Sequence, residues 1–519
     1  MNSGYSKADF RGLDPLFSSR RRPTDLEIDE ILERFIEGSL TNYEAEAASL
    51  RLGLVKKRVL PRLLHLVASP EPVHHQVAGQ LLRRLHLTQA IGPLRDLLLR
   101  PELEDDHKMT IVQALHSLGG IGPGEDPLAY LRDPVGSARK AKHALLDMLQ
   151  DPLQLEGALF SIVDEDTLEV TKPEAISALA AIHDRRILPF LTCLLHAPED
   201  ELVLSAIAAI EELQEPNIVP LLRERATYDP SETVRRAAAD AAEQLLQASG
   251  ELPPSVLELP VAPPPVKRCM VSTIDGNGAQ VLFIIRQAPG HPCTFFSVLF
   301  NDFEGVKDCF GGQMESAEAI EAMMTEGADE MGVELVEIGI ERARAELTDA
   351  YRTTLEARRR LPLSFMGWWQ TWLVGEDSRA VRSFPLPELK ANEMPWLLAI
   401  CDELFSLDEF VSWFFNPEEL GSLKRKAWKA LRGRAGDLEQ LISAGIKQIM
   451  TAPRCRLLRR RLERQAWLLA QLYEDEEVPK MALAAAAGLA DESPGALVQH
   501  PLLREMVLRS FANSLDPQG

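Results

Sequence analysis

A block of cations between Lys424 and Arg464 is the strongest chemical signal in this 519-residue sequence. It holds thirteen Lys or Arg against three acids (Asp437, Glu439 and Glu463), in a chain whose net charge is -22. Arg456, Arg459, Arg460 and Arg464 are spaced for one side of a helix whose other side is Leu458, Leu462 and Leu469. Lys424, Arg425, Lys429 and Arg432 precede them, and Trp428 and Trp467 lie close by. Guanidinium forks beside aromatic rings suit phosphate contact and base stacking. These eight cations therefore form a candidate surface for a polyanion or a partner, nucleic acid or ribonucleoprotein included. The plainer reading is a solvated helix face, or one paired with the acidic run Glu474-Asp475-Glu476-Glu477.

A second set of reactive residues lies upstream. Cys309, in Asp308-Cys309-Phe310-Gly311-Gly312, follows a strand-like run, with His291 and Cys293 near it in sequence. A nucleophilic cysteine needs a base within hydrogen-bond reach. A Cys309–His291 dyad is the catalytic reading, and a structural cysteine beside turn glycines is the plain one. Met366-Gly367-Trp368-Trp369 would serve as a ligand wall, although an aromatic stripe is first of all core. Arg358-Arg359-Arg360 reads as a cation cluster at a helix end, where it complements the helix dipole. Gly119-Gly120-Ile121-Gly122-Pro123-Gly124 has the composition of a phosphate cradle, but such a loop needs a strand before it and a helix start after it. A helical run precedes it, which makes it an inter-repeat loop. Asp275-Gly276-Asn277-Gly278 lacks the later acidic ligands of a calcium loop and reads as a hairpin turn.

The six cysteines are scattered, with no CxxC pair. Neither a zinc ribbon nor a thioredoxin-type site is expected, and free thiols in a reducing compartment are the simple reading. No Walker loop, HExxH, nucleophile elbow or dinucleotide fingerprint occurs. The reading leans away from an enzyme and assigns no catalytic, cofactor-binding or metal-binding residue and no cofactor.

The elements that would carry these residues differ along the chain. At 45% hydrophobic and 26% charged, the sequence has the composition of a folded protein with a large core, and its length suggests about three domains. The negative charge argues against wholesale binding to nucleic acid or anionic membranes and leaves only a local patch for either. Residues 1–25 read as a flexible N-terminus without a signal peptide's apolar core. No run of about 18 apolar residues suggests a membrane span, so a cytoplasmic protein is the expectation. Thr24 and Glu27 have capping-box spacing, and Ile28, Ile31, Leu32, Phe35 and Ile36 follow as one helical stripe. A second helix is expected over Tyr43–Leu52.

From there an internal repeat runs. Ile187-Leu188-Pro189 through Pro198 to Ile210 is matched by Ile218-Val219-Pro220 through Asp229-Pro230 to Val234, Ala238 and Leu245, with 31 residues from Pro189 to Pro220. Val59-Leu60-Pro61 through Pro70, Ile91-Gly92-Pro93 through Pro101, and Pro127 through Asp133-Pro134 continue the period upstream, and the spacing leaves room for a degenerate copy around Ala158. That gives about six copies between residues 55 and 248. A period near 31 implies helix pairs stacked as a solenoid, because one copy cannot bury its apolar face alone. The pattern D-P-x-x-x-V-R-x-x-A at Asp229-Pro230, Val234-Arg235 and Ala238 resembles HEAT repeats, of the short kind found in phycobilisome-lyase-type HEAT-like proteins. The resemblance covers about 200 residues. It implies that the Asp-Pro turn starts the second helix, that Val234 and Ala238 pack inward, and that Arg235 helps tie adjacent repeats. It implies nothing specific about activity.

Glu251–Val266 is proline-rich, a semi-rigid spacer. Beyond it Cys269–Thr273, Gln280–Arg286 and Thr294–Asn301 are short β-rich runs, and Gly305–Phe310 reads as a further strand or loop. Helices are expected over Ser316–Met331 and about Val336–Arg360. Later, Ser406 reads as the cap of a helix carrying Leu407, Phe410, Val411 and Phe414. All seven tryptophans lie after the spacer. The expectation is a mainly α protein: a HEAT/ARM-like α-solenoid over 26–250, a linker over 251–266, a small α+β domain over 267–395 and a helical region over 396–519. The function that follows is a non-enzymatic scaffold or adaptor binding a protein partner through the solenoid. The alternatives are nucleic-acid binding through 424–464 and a small-molecule or catalytic role in the α+β domain. No membrane association is expected.

Overall fold

Thr24 starts the first helix by reciprocal capping. Its hydroxyl accepts from the Glu27 amide, and the Glu27 carboxylate accepts from the Thr24 amide at 2.6 Å, which holds the Glu27 carboxyl down at about 2. The computed structural model describes residues 21–38, 40, 42–122, 124–163, 172–249, 263–373, 385–431 and 438–513. The chain divides into two compact units, 1–145 and 146–519.

In the first unit the helices are α1 (Asp25–Glu37), α2 (Asn42–Gly53), α3 (Lys56–Val67), α4 (Pro72–Arg84), α5 (Ile91–Leu98), α6 (Asp105–Ser117) and α7 (Pro134–Met148), the unit boundary falling within the last. Their apolar stripes meet in one core that includes Ile31, Val59, Leu63, Leu82, Leu94 and Leu115. Polar ties run from repeat to repeat. The Asp105 carboxylate accepts the amides of Arg132 and Asp133, both at 2.8 Å. The glycine-rich stretch follows α6, and its Gly120 carbonyl accepts from the Arg95 guanidinium at 2.7 Å and 2.9 Å. No strand precedes it, as the inter-repeat reading requires.

The second unit opens with three helix pairs: α8 (Pro152–Val163) with α9 (Lys172–Ala180), α10 (Leu188–Leu194) with α11 (Asp200–Leu213), and α12 (Val219–Tyr228) with α13 (Glu232–Ser249). Pro189 and Pro220 each sit in the first turn of a first helix, where a missing N–H costs nothing. The second helices α9, α11 and α13 pack side by side. Val234 and Ala238 are buried. Arg235 donates to the carbonyls of Asp229 (2.7 Å) and Pro230 (3.1 Å), so it fastens its own turn rather than a neighbouring repeat. The degenerate copy around Ala158 is the α8–α9 pair.

The sheet that follows has five antiparallel strands in the order β4-β3-β2-β1-β5: β1 (Val266–Ser272), β2 (Ala279–Gln287), β3 (Cys293–Asn301), β4 (Gly305–Met314) and β5 (Leu335–Glu337). One face buries Met270, Phe283, Ile285 and Phe295 against Ile320 and Met324 of α14 (Ala317–Met331). The other carries α15 (Ile340–Glu356) and α16 (Phe365–Trp372); Phe296 stacks on Trp368 with ring centroids 5.1 Å apart. Edge strand β4 offers little template for another strand. Its amides at Val306, Cys309 and Gly311 donate to the side chains of Thr354, Asp308 and Glu156.

The remaining helices are α17 (Met394–Ala399), α18 (Ser422–Leu431), α19 (Leu438–Ile449), α20 (Ala452–Leu472), α21 (Glu477–Gly488), α22 (Pro494–Gln499) and α23 (Pro501–Asn513). Two expectations are corrected. Residues 335–337 form β5, paired with Met270–Ser272, so the helix expected from Val336 begins at Ile340. The stretch after Ser406 is no α-helix. It is a pair of short 3-10 turns, Cys401–Ser406 and Asp408–Phe410, with the Ser406 hydroxyl donating back to the Glu403 carbonyl. Residues 251–262 of the proline-rich stretch lie outside the described residues, and among those described no helix is long and apolar enough to cross a membrane.

Candidate functional site

The cation block divides by burial. Arg456, Arg459 and Arg460 of α20 and Arg425 and Lys429 of α18 are exposed. Arg456 pairs with Glu492 at 3.5 Å, Arg459 with Glu463 at 3.0 Å, and half-buried Lys424 with Glu418. Arg464 instead turns inward. It pairs with the buried carboxylate of Glu346, which Arg342 also meets, and lies over the Phe300 ring at 5.5 Å. Burial, then the nearby Arg342 charge, pulls the Arg464 guanidinium down to about 9. Its neighbour Arg461 forks onto Asp302, Nε and Nη2 both at 2.9 Å, and donates to the Gly276 carbonyl. Arg464 therefore does not share the outward face of Arg456, Arg459 and Arg460: it and Arg461 fasten α20 to the sheet. Arg432, Arg434 and Asp437 lie outside the described residues, as does the side chain of Trp428.

The hairpin turn Asp275–Gly278 is where these helices meet the sheet. The Ile274 amide donates to Gln465 (2.8 Å), Trp413 donates through Nε1 to the Ile274 carbonyl (3.0 Å), and the Gly276 amide donates to Ser412 (3.0 Å). A Cβ at Gly276 would run into the Ser412 backbone, so glycine there serves close approach as well as the turn.

Cys309 and His291 do not form a nucleophilic pair. His291 is exposed in the β2–β3 loop, whereas Cys309 is buried on β4, 3.5 Å from the Ser364 hydroxyl. Burial, together with the Glu156 and Asp308 charges, pushes its thiol up. Such a thiol is inert at neutral pH. All six cysteines are free and buried, and no group of three or more metal-ligating side chains assembles among the described residues.

The densest polar constellation of the second unit joins the helix pairs to the α+β elements. Helices α8, α10 and α12, the first helix of each pair, receive α16 and α15. Glu156 of α8 accepts from Trp368 Nε1 at 3.0 Å, from the Ser364 hydroxyl at 3.3 Å, and from the Gly311 amide; burial pushes its carboxyl up. Thr192 of α10 exchanges hydrogen bonds with Gln370 at 2.8 Å and 3.1 Å. Glu224 of α12 accepts from the Tyr351 hydroxyl, and both groups are pushed up, burial being the largest cause for each. Gly367 lets α16 come close, since a Cβ there would crowd Leu155 and reach Cys193.

Arg360 anchors the constellation. It forks onto Asp229 (2.9 Å and 3.1 Å), reaches Asp200 (2.6 Å) and donates to the Ala197 carbonyl at 2.8 Å. Asp229 is fully buried and also meets Arg225. Burial works against the Arg360 charge, but Asp229 and Asp200 more than offset it. His196 stays neutral beside these cations, its Nδ1 accepting from the Leu361 amide. The three-arginine run is therefore no helix-end cluster: α15 ends at Glu356, Arg359 pairs with Glu304 at 2.7 Å, and Arg360 enters the solenoid turns. Sequence reasoning singled out Asp229 as a turn residue and missed this pairing. Its one local signal is an arginine placed after the α15 pattern ends, which a helix-dipole role does not need.

Residues 157–243 match the family model for HEAT repeats. The match spans most of α8 through α13 and does not single out the phycobilisome-lyase kind. No curated protein and no solved structure matches the chain.

Proposed function

We propose that this chain, whose residues 157–243 are HEAT repeats, is a scaffold or adaptor that binds a protein partner through the solenoid row its own C-terminal elements leave open. The observation that carries the reading is the division of labour between the two helix rows. The first helices α8, α10 and α12 are engaged in cis by α15 and α16. The second helices α9, α11 and α13 turn Glu174, Glu201, Glu212, Asp240 and Glu243 outward. Glu211 and Asp240 face each other across α11 and α13, and burial plus the Asp240 charge pushes Glu211 up. Stacked helix pairs serve as extended binding surfaces, and a row of this sign favours a partner with a basic face. Full-length protein and a Glu201→Lys, Glu212→Lys, Glu243→Lys variant are compared as bait under identical conditions. A specific protein retained by the first and lost by the second supports the reading. Equal retention sends the partner to another surface.

The second reading is polyanion binding by the exposed cations Arg425, Lys426, Lys429 and Arg460. It requires binding that falls steeply with salt; a flat salt response removes it.

A further inference from the structure

We propose that the stacked imidazoles of His75 and His107 form an acid-sensitive latch between α4 and α6 in residues 1–145. The rings lie face to face, with centroids 4.1 Å apart and planes 9° from parallel. Both side chains are buried, His75 at 4% exposure and His107 at 5%. The ring of His107 is oriented by its Nε2, which donates to the Val67 carbonyl at the C-terminal end of α3. His75 Nδ1 is buried and finds no hydrogen-bond partner among the described residues. The pair thus bridges the ends of three consecutive helices, and it does so without an acceptor prepared for a second proton on His75.

The groups facing His75 explain why a proton is unwelcome. Burial holds its imidazole down to about 4, and His107 from α6 and His74 from α4 add to this; only Asp106 of α6 acts in the opposite sense. His74 is held by the Ser69 hydroxyl at 2.9 Å, and the Lys108 ammonium on α6 is directed to the Tyr130 carbonyl at 2.8 Å. A cation formed on His75 would therefore sit desolvated against a second imidazole with one carboxylate in its favour. The sign follows by linkage. The folded-state value is depressed below the ordinary 6.5, so an opened state takes up the proton first. The latch is fully closed above pH 6.5 and opens progressively as pH falls toward 4.

The test is amide hydrogen exchange on the full chain, corrected for intrinsic rates. The opening equilibrium of amides in α4 and α6 is expected to rise roughly thirtyfold between about pH 7.5 and about pH 5, from the two His75 values alone. His75→Phe keeps an aromatic ring and removes the proton site; it should flatten that dependence while exchange in residues 146–519 is unaltered. An unchanged acid response in the variant, or a wild-type response no larger in α4 and α6 than elsewhere, overturns the proposal. Should the variant fail to fold, imidazole NMR of the wild-type chain decides, with the His75 ring identified by its through-space contact to His107. A midpoint near 4 supports the latch, and one near 6.5 overturns it.

Discussion

Arg360 and Asp229 are joined by two parallel hydrogen bonds, Nε to Oδ2 at 3.1 Å and Nη2 to Oδ1 at 2.9 Å, across 131 residues of sequence. Asp229 is the aspartate of the Asp-Pro turn that marks the repeat. Its Oδ1 also accepts the Ser231 amide at 2.9 Å, which starts α13. One carboxylate thus shapes the repeat locally and receives the α+β elements on it.

Removing the fork should be costly. Arg360→Ala leaves Asp229 buried beside Arg225 alone, and breaking a buried pair of this kind costs about 3–5 kcal/mol. Urea unfolding followed by tryptophan emission reads this loss in the second unit, because every tryptophan lies beyond residue 367. Arg360→Lys should recover only part of it, since a lysine cannot reproduce the planar fork.

Glu156 predicts a pH dependence of the opposite sense to that of His75. Burial raises its folded-state value above the ordinary 4.5, so the folded chain binds a proton that the unfolded chain has released. Stability contributed this way is present below that unfolded value and is lost as pH rises through the raised one. Glu156→Gln should flatten this slope in urea midpoints of the second unit. A slope that survives the substitution assigns it to another group.

Gly311 should tolerate no side chain. A Cβ there falls inside the indole of Trp368, whose Nε1 is fixed on Glu156. Gly311→Ala is expected to cost about 1–3 kcal/mol by overpacking and to alter tryptophan emission. An unperturbed spectrum would mean the ring shifts freely.

The arginines of α20 should separate into two classes. Arg456→Ala, Arg459→Ala and Arg460→Ala, all at exposed positions, are expected to change stability by no more than about 0.5 kcal/mol each. Arg461→Ala strands Asp302, and Arg464→Ala removes one of two cations from buried Glu346. Both should cost about 2 kcal/mol or more. Thermal unfolding of the five variants distinguishes these outcomes.

The repeat was legible because it is periodic. Pro189 and Pro220 fall in equivalent first turns, and Val234 and Ala238 bury as their spacing requires. The hairpin at Asp275–Gly278 was legible because turn geometry restricts residue type locally. Leu335–Glu337 carried no such signal: three residues cannot display a period, and only pairing with β1 makes them a strand. Leu407, Phe410, Val411 and Phe414 have helical spacing, yet Phe410 and Trp413 are drawn into the core under the β1–β2 turn, and that tertiary demand wins over the local pattern. The Arg360–Asp229 and Glu156–Trp368 pairs join residues more than a hundred positions apart, where local periodicity is silent. The cation block looked like one helix face because spacing does not reveal that Asp302 and Glu346 wait on the sheet side.

The most direct test of the scaffold reading is hydrogen-exchange footprinting of the full chain with the protein it captures. New protection confined to α9, α11 and α13, with α8, α10 and α12 already protected in the free protein, is the predicted result. Protection confined to α18 and α20, or to the β-sheet, would contradict it.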